Sequence, residues 1–263
     1  MSATIRVGVA GWTFEPWRDN FYPAGLPHAH ELEYASRKLS AIEINGTFYR
    51  TQSAATFAKW RDATPEGFMF SLKALRYTTH RRVLAEAGES VEHFVRSGIA
   101  ELGAKLGPVV WQFAPNKRFD ESDFEAFLRL LPANVDGVGL QHAVEVRHES
   151  FKCEAYLRLA RRHRVTTVFT DSTDYTSFAD LSGPFVYVRT MRTQAGLPQG
   201  CTPTVLNQYA ACARTWRDGS EPIAVPRVAE PAGAGTARDV YLFFVAAAKE
   251  RAPAAAMAVI ERL

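Results

Sequence analysis

Eight short runs of apolar residues, many of them β-branched or aromatic, are separated by stretches with helical spacing, and this alternation constrains the fold more than any other feature. The predicted strands cover residues 5–11, 41–45, 68–72, 108–113, 143–147, 165–170, 184–189 and 240–245. Alternating strands and helices are typical of parallel sheets, and eight such units in 263 residues favour an α/β fold, a single TIM-type (β/α)8 barrel. An open doubly wound sheet is the alternative, but no GxGxxG motif follows the first strand.

The predicted helices fill the gaps between these strands. They cover residues 32–39, 54–63, 90–102, 123–131, 154–164, 204–216 and 254–263, with Ser53 as the expected N-cap of the second helix. The segment 218–239 is rich in Pro, Gly and Ala and has no periodicity, which indicates a surface loop insertion. It is interpreted as a loop inside one domain, residues 1–263, and not as a domain boundary.

Composition sets broad limits on the class of protein. With 47% hydrophobic and 12% aromatic residues the chain can bury a large core, and its net charge of +3 permits an anionic partner without requiring one. The three cysteines are widely spaced and form no CxxC pair, which argues against a disulfide framework or a zinc site. Neither a secretory signal nor an apolar run of about 18 residues is evident, so a cytoplasmic protein with no membrane partner is expected.

Polar side chains occupy the inward face of six consecutive predicted strands near their carboxyl ends. Glu145 and Arg147 share one face of their strand, and Glu43 and Asn45 share one face of theirs. The other strand ends carry Lys73, Gln112, Asp171 and Arg189. Because barrel active sites lie where the carboxyl ends of the strands meet, a polar site is predicted there. An ion-pair network that merely fills the barrel mouth is the alternative. In either case Glu145 is expected to be ionised and held by Arg147 or Lys73.

Residue roles follow from this placement as hypotheses. The candidate catalytic residues are Glu43, Glu145, His148 and Asp171. The candidate substrate-binding residues are Trp12, Asn45, Tyr49, Lys73, His80, Gln112, Arg147 and Arg189. His148 could act as an acid or base. The His28-x-His30 pair and the charged side chains of Glu149 and Asp180 are interpreted as solvated. The aromatic residues Trp12, Trp17, Phe21 and Tyr22 either stack on a base or sugar or pack over the barrel mouth.

The same residues are compatible with a metal site or an anion site. Three carboxylates with His148 or His80 could bind a divalent ion. However, Lys73, Arg147 and Arg189 are expected on the same rim, and these cations oppose a second cation. Guanidinium groups suit oxyanions, so the sequence predicts a small anionic ligand, phosphate or sulfate above others, without a metal or another cofactor.

Several motifs resemble the domain of unknown function 72, or YecE-like, family. In chain order they are Gly11-Trp12, Trp17, Phe21-Tyr22-Pro23, Glu43-Ile44-Asn45-x-Thr47-Phe48-Tyr49-Arg50, Lys73 with Thr79-His80, Leu106-Gly107-Pro108 with Gln112, Glu145-x-Arg147-His148, Asp171-Ser172 and Tyr187-Val188-Arg189. The resemblance runs from about residue 5 to residue 245. It implies a TIM-type barrel in bacteria and no particular reaction. The chain departs from the family pattern at 190–192 and 245–247, where it lacks a His-Gly turn and an Asn-rich strand end.

Three functions are compatible with these observations. The first is an acid–base enzyme acting on a phosphorylated or otherwise anionic small molecule. The second is a nucleic-acid-binding or nucleic-acid-processing protein, with the aromatic loop stacking on bases and basic residues contacting phosphates. The third is a non-catalytic ligand-binding barrel, which the altered end of the eighth strand favours. The oligomeric state is left open.

Overall fold

Within the described residues, eight parallel strands close into a barrel. The structure is a computed structural model that describes residues 3–231 and 235–263. The strands are β1 (Ile5–Ala10), β2 (Ala41–Ile44), β3 (Met69–Lys73), β4 (Leu106–Gln112), β5 (Asn134–Val135), β6 (Val138–Gly139), β7 (His142–Glu145), β8 (Thr166–Thr170), β9 (Val186–Thr190) and β10 (Val240–Phe244). Strands β5 and β6 form a separate antiparallel hairpin, and the others pair in chain order until β10 meets β1. The predicted TIM-type (β/α)8 barrel is confirmed.

Helices surround the barrel. They are α1 (Glu31–Lys38), α2 (Ala54–Asp62), α3 (Arg76–Thr79), α4 (Gly88–Val95), α5 (Glu121–Leu130), α6 (Glu154–Arg162), α7 (Pro203–Arg217) and α8 (Ala252–Ile260). Short 3₁₀ helices cover Glu15–Asp19, His28–His30, Gly46–Phe48, Leu84–Ala87, Ile99–Lys105, Glu149–Phe151 and Lys249–Arg251. The Ser53 hydroxyl accepts a hydrogen bond from the Thr56 amide, so the predicted cap of α2 is confirmed. No helix in the described part of the chain is long and apolar enough to cross a membrane.

Two apolar layers account for the packing. The larger lies between the strands and the helices. The smaller fills the barrel interior with alternate strand residues: Ala41, Val110, Ala143, Val168, Phe185, Tyr187, Tyr241 and Phe243. Because side chains alternate along a strand, the residues two positions further on point into the same interior, nearer the carboxyl end. The large rings of the smaller layer therefore form a floor beneath any polar site at the carboxyl face.

The predicted helix over residues 90–102 is interrupted. Helix α4 ends at Val95, and a 3₁₀ helix begins at Ile99. Between them Gly98 has φ +104°, and a Cβ atom there would lie 2.6 Å from the Ala54 Cα atom. The left-handed backbone and the close approach of α2 both require glycine, and a continuous helix cannot pass through such a residue.

The loop 218–239 contains no helix or strand among its described residues. Its backbone nevertheless packs against the connection between β8 and β9. The Asp180 carboxylate accepts hydrogen bonds from the amides of Val228 (2.8 Å) and Ala229 (2.9 Å). The prediction of a solvated Asp180 is wrong, because this carboxylate is buried and holds the loop by its backbone.

Candidate functional site

The centre of the barrel mouth is an arginine shared by two buried carboxylates. Arg189, on β9, donates from Nε to Glu43 Oε2 (2.9 Å) and from Nη2 to Glu43 Oε1 (3.0 Å). Its Nη1 donates to Glu145 Oε2 at 2.5 Å. Both glutamates are fully buried, and Arg189 is 4% exposed. All three guanidinium nitrogens are therefore committed to carboxylates from β2 and β7, so the prediction that Arg189 binds substrate stays a prediction.

Glu145 has a second arginine partner. Arg147 Nε donates to Glu145 Oε1 at 2.6 Å, so the expected pairing of these two residues is present. Arg147 Nη2 also donates to Gln112 Oε1 (3.0 Å), and the guanidinium carbon lies 4.3 Å from the centre of the Tyr175 ring. Gln112 and the Tyr175 ring thus fix the orientation of Arg147.

Charge compensation decides the state of Glu145. Burial would raise the pKa of this carboxyl group, but the positive charges of Arg189, Arg147 and Lys73 outweigh it and hold the pKa below its usual range. The predicted ionised state of Glu145 agrees with this direction. Burial would likewise lower the pKa of Arg189, but Glu145 and Glu43 raise it, so the cation persists.

A phenol completes the shell around Glu43. The Tyr187 hydroxyl donates to Glu43 Oε2 at 2.8 Å. The Ser71 hydroxyl lies 2.6 Å from the Tyr187 hydroxyl and 2.8 Å from the Pro108 carbonyl oxygen. Sequence reasoning assigned neither side chain to the site, yet each stands two residues before a predicted site residue. Because side chains alternate along a strand, Ser71 shares the inward face of Lys73, and Tyr187 shares that of Arg189.

We expect Tyr187→Phe to lower the free energy of unfolding by about 1–3 kcal/mol, because a buried carboxylate loses one of its donors. Tyr241→Phe is the matched control. Tyr241 is equally buried, but its hydroxyl lies 3.5 Å from its acceptor, Gln141 Oε1. Urea unfolding of both variants measures the difference. Equal losses would show that ring packing, and not the hydrogen bond to Glu43, explains the effect.

Lys73 differs from the other cations of the mouth. It ends β3 and is 7% exposed. Its Nζ atom lies 4.1 Å from the centre of the Phe48 ring, but it has no hydrogen bond or ion pair with any residue that the structure describes. Burial and the nearby Arg189 lower the pKa of Lys73 to about 8, although Glu43 and Glu145 act in the opposite direction. The Lys73 side chain is thus largely buried, while its Nζ atom has no protein acceptor and stays in contact with solvent.

The interior face also carries an unpaired hydroxyl. Thr170 ends β8 and pairs in register with Arg189, so its side chain points into the barrel mouth. The Thr170 Oγ1 atom is buried and has no hydrogen-bond partner in the described structure. Buried hydroxyl groups normally have partners, so the Thr170 hydroxyl is an exception within the barrel mouth.

Asp171 does not join this cluster. The register pairs Val168 with Tyr187 and Thr170 with Arg189, so the inward residues of β8 are the even-numbered ones. Asp171 instead accepts hydrogen bonds from the Met191 amide (2.6 Å) and from the Tyr209 hydroxyl of α7. Burial raises its pKa. Its predicted place on the inward face is therefore wrong, by one residue of register.

The two histidines lie outside the ion-pair network. His148 Nδ1 accepts a hydrogen bond from the Ser150 amide (3.1 Å) and caps a 3₁₀ turn. His80 is exposed, and its ring centre lies 5.7 Å from that of Phe48. Partial burial and the cations of Arg76, Arg147 and Lys73 lower the pKa of His80. His80 is therefore close to Lys73, whereas His148 serves the local backbone. The catalytic role predicted for His148 stays a prediction.

The remaining predicted ligand-binding residues are peripheral. Asn45 precedes a 3₁₀ turn and is partly exposed, and Tyr49 is 74% exposed. Trp12 is partly exposed, with its ring edge-on to Trp60 at 5.1 Å. Trp17 is buried and donates from Nε1 to the Lys249 carbonyl oxygen (2.8 Å). Phe21 and Tyr22 are also buried, so the packing interpretation of this aromatic loop is supported.

Metal-ligating groups are not clustered in the described residues, where no three His, Cys, Asp or Glu side chains converge. Each oxygen of Glu43 and Glu145 already accepts a hydrogen bond from arginine. The His28 and His30 rings pair with the carboxylates of Glu31 and Glu33 instead of with each other. The carboxylates of Glu43 and Glu145 therefore orient guanidinium groups.

A closed parallel barrel with a polar cluster at the carboxyl ends of its strands defines a TIM-type (β/α)8 protein. The chain belongs to the family described as "Protein of unknown function DUF72", whose model matches residues 6–263. A DUF72 family protein of Thermotoga maritima is 21% identical with a TM-score of 0.75, covering 98% of both chains. A DUF72 family protein of Enterococcus faecalis is 15% identical with a TM-score of 0.68, covering 99% of this chain and 98% of that one. At these identities the likeness establishes the fold alone.

Among curated proteins the chain is similar to the UPF0759 protein YunF of Bacillus subtilis. The two are 29% identical over 116 residues. This alignment covers 42% of this chain and 40% of YunF, so the match spans about two fifths of the relative's length.

Proposed function

We propose that the protein is an enzyme that binds a phosphorylated or otherwise anionic small molecule at the carboxyl face of its barrel. The observation that carries the proposal is the largely buried Lys73 side chain, whose Nζ atom faces the opening of the mouth without a protein acceptor. A buried cation is costly unless it is paired. A bound anion would provide the missing partner.

The charge balance of the mouth supports an anion. The cations of Lys73, Arg147 and Arg189 face the two carboxylates of Glu43 and Glu145, which leaves an excess of one positive charge. Arg189 is fully used by the carboxylates, so the excess lies with Lys73 and Arg147.

Arg147 has one further free donor. Its Nη1 atom donates to no acceptor in the described part of the chain. Guanidinium and ammonium donors around one opening are groups that recognise oxyanions. In this arrangement Glu43 and Glu145 position the cations, and acid–base work falls to Lys73, whose pKa of about 8 lies near neutrality.

Inorganic phosphate is expected to bind to the wild type in calorimetric titration, and chelator treatment should leave the affinity unchanged. Lys73→Met should weaken binding by about 10–100-fold, the value of one hydrogen bond to a charged group. Lys249→Met is the matched control. Lys249 is half-buried and, like Lys73, its Nζ atom lies against aromatic rings, here those of Phe14 and Trp17. Loss of binding on chelation would favour a metal site, and absence of binding by the wild type would reject the proposal.

A nucleic-acid ligand is the second candidate, favoured by one surface feature. A cavity of about 930 Å³ beside His80 is lined by basic residues of the loops after β3 and β4, namely Arg81, Arg82, Lys117 and Arg118. Its charge is offset by Asp120 and Asp123, and Lys117 is already paired with Asp123 at 2.8 Å. In the same titration, polynucleotide binding that falls steeply between about 50 and 200 mM salt would favour this candidate over the small anion.

A further inference from the structure

We infer that Lys73 is a nucleophilic amine that forms an imine with the bound molecule, so that the substrate is an aldehyde or ketone carrying an anionic group. This inference rests on the proposed function, which it extends from an anion to a class of substrate. It assigns the acceptor-free amine a covalent role and leaves recognition of the anionic group to Arg147.

The surroundings of Lys73 separate it from two other partly buried lysines, Lys105 and Lys117. Lys105 Nζ donates to the carbonyl oxygens of Arg61 (2.6 Å) and Thr64 (2.5 Å). Lys117 Nζ donates to Asp123 (2.8 Å) and to the Arg82 carbonyl oxygen (2.7 Å). Their nitrogen atoms are engaged in holding the fold. Lys73 Nζ has no such acceptor among the described residues, so its lone pair is available once the proton leaves. Lys249 Nζ also lacks an acceptor among the described residues, and burial lowers its pKa, but it lies against the Phe14 and Trp17 rings and not in the charged barrel mouth.

The setting also favours the neutral amine. Burial on a strand end and the positive charge of Arg189 destabilise the ammonium form, and the pKa of about 8 leaves about a tenth of Lys73 neutral near pH 7. Desolvation and a neighbouring cation are the means by which enzymes activate lysine as a nucleophile. The Phe48 ring, 4.1 Å from Nζ, closes one side of the amine.

The reaction balances without an oxidant or reductant. The neutral Nζ attacks the carbonyl carbon to form a carbinolamine, and the two amine hydrogens leave with the carbonyl oxygen as water while the C=N bond forms. One proton from solvent then converts the imine to an iminium ion. This ion carries the same single positive charge as the ammonium group did. Glu43 and Glu145, which already stabilise a cation at Lys73, would stabilise the iminium in the same way.

Pyridoxal 5′-phosphate with sodium borohydride tests the inference, because it is an aldehyde that carries a phosphate. Borohydride delivers hydride to the imine carbon and fixes the adduct as a secondary amine, which peptide mass spectrometry locates. We expect labelling at Lys73 to exceed that at Lys249 by about tenfold or more near pH 7. Burial lowers the pKa of both amines, but only Lys73 lies beside Arg147, which would hold the phosphate of the reagent. The labelling rate at Lys73 should level off above about pH 8. The labelling rate of a lysine with an ordinary pKa continues to rise up to about pH 10.

Lys73→Arg supplies the decisive variant, because it keeps the positive charge but forms no stable imine. It should still bind inorganic phosphate and should lose the adduct at position 73, while Lys249→Arg should retain the Lys73 adduct. Phosphate binding by the wild type with labelling no greater at Lys73 than at Lys249 would overturn the inference and leave the anion site standing. If pyridoxal, which lacks the phosphate, labels Lys73 as fast as pyridoxal 5′-phosphate does, imine formation at Lys73 would still be supported. The anion site would be overturned.

Discussion

Replacing Arg189 with methionine is expected to lower the free energy of unfolding by about 3–5 kcal/mol at neutral pH. The side chain donates to both Glu43 and Glu145, and each carboxylate is fully buried. Without the guanidinium group, both carboxylates lose their common partner and must either stay charged in an apolar setting or take up a proton. Urea unfolding followed by circular dichroism measures the loss.

The pH dependence of this variant identifies the cause. In the wild type the lowered pKa of Glu145 contributes stability above the unfolded pKa of about 4.3, and this contribution is lost as the pH falls through the lower folded pKa. Without Arg189, only Arg147 and Lys73 remain to offset burial, so the folded pKa of Glu145 rises. The variant therefore loses stability where the carboxyl groups must ionise. The difference in free energy of unfolding between the wild type and the Arg189→Met variant should therefore be largest near neutral pH and should become smaller towards pH 4.

Two arginines serve as controls for the Arg189 variant. The Arg147 side chain is 17% exposed. A loss of about 3–5 kcal/mol requires a fully buried ion pair, so Arg147→Met should lower the free energy of unfolding by less than Arg189→Met does. Arg96 pairs with Glu92 on an exposed helix face, and Arg96→Met should change stability by about 1 kcal/mol or less. An Arg189 variant that unfolds like the Arg96 variant would contradict the buried network.

Lys73→Met is expected to stabilise the protein by about 3 kcal/mol near pH 7. A pKa lowered to about 8 means that the folded state binds this proton less well than the unfolded chain does, at about 1.4 kcal/mol per unit. Both states are protonated at pH 7, so the folded protein bears the full cost of the buried charge. Methionine has a similar length and no charge, and it can pack against the Phe48 ring.

The stabilisation by Lys73→Met should fade with rising pH. The pKa of Lys73 is about 8 in the folded wild type and about 10.4 in the unfolded chain. As the pH rises between these values, the folded protein loses this proton first, and the free-energy cost of the buried charge disappears. Thermal unfolding at a series of pH values measures this trend. A variant that is less stable than the wild type at every pH would show that the ammonium group is a structural member of the network and not a cost retained for function.

Sequence reasoning reached the barrel because strand–helix alternation is a local pattern repeated eight times. It failed at Gly98, where the helix is interrupted by the approach of α2, a contact between residues distant in sequence. It also failed at Asp180, because a carboxylate in a loop gives no sign of whether backbone amides will surround it. Both errors concern tertiary contacts that periodicity does not encode.

The same distinction explains the site. Glu43, Glu145 and Arg147 stand out because a charged residue interrupts a short apolar strand, and their inward parity followed from the neighbouring apolar residues. In β8 the residues on both faces are buried, so no alternation identifies the inward face, and Asp171 was placed one residue out of register. Tyr187 and Ser71 were missed since a tyrosine or serine in a strand is ordinary on either face.

The aromatic floor beneath the ion pairs has a consequence for how fast a ligand arrives. Tyr187, Tyr241 and Phe243 close the barrel interior below the charges, so the medium behind them is poorly polarisable. Field lines from the excess positive charge are then directed outwards through the solvent-facing opening, where they act on approaching ions. Association of an anion should be faster than that of a neutral analogue of equal size, and this advantage should shrink as added salt shortens the screening length.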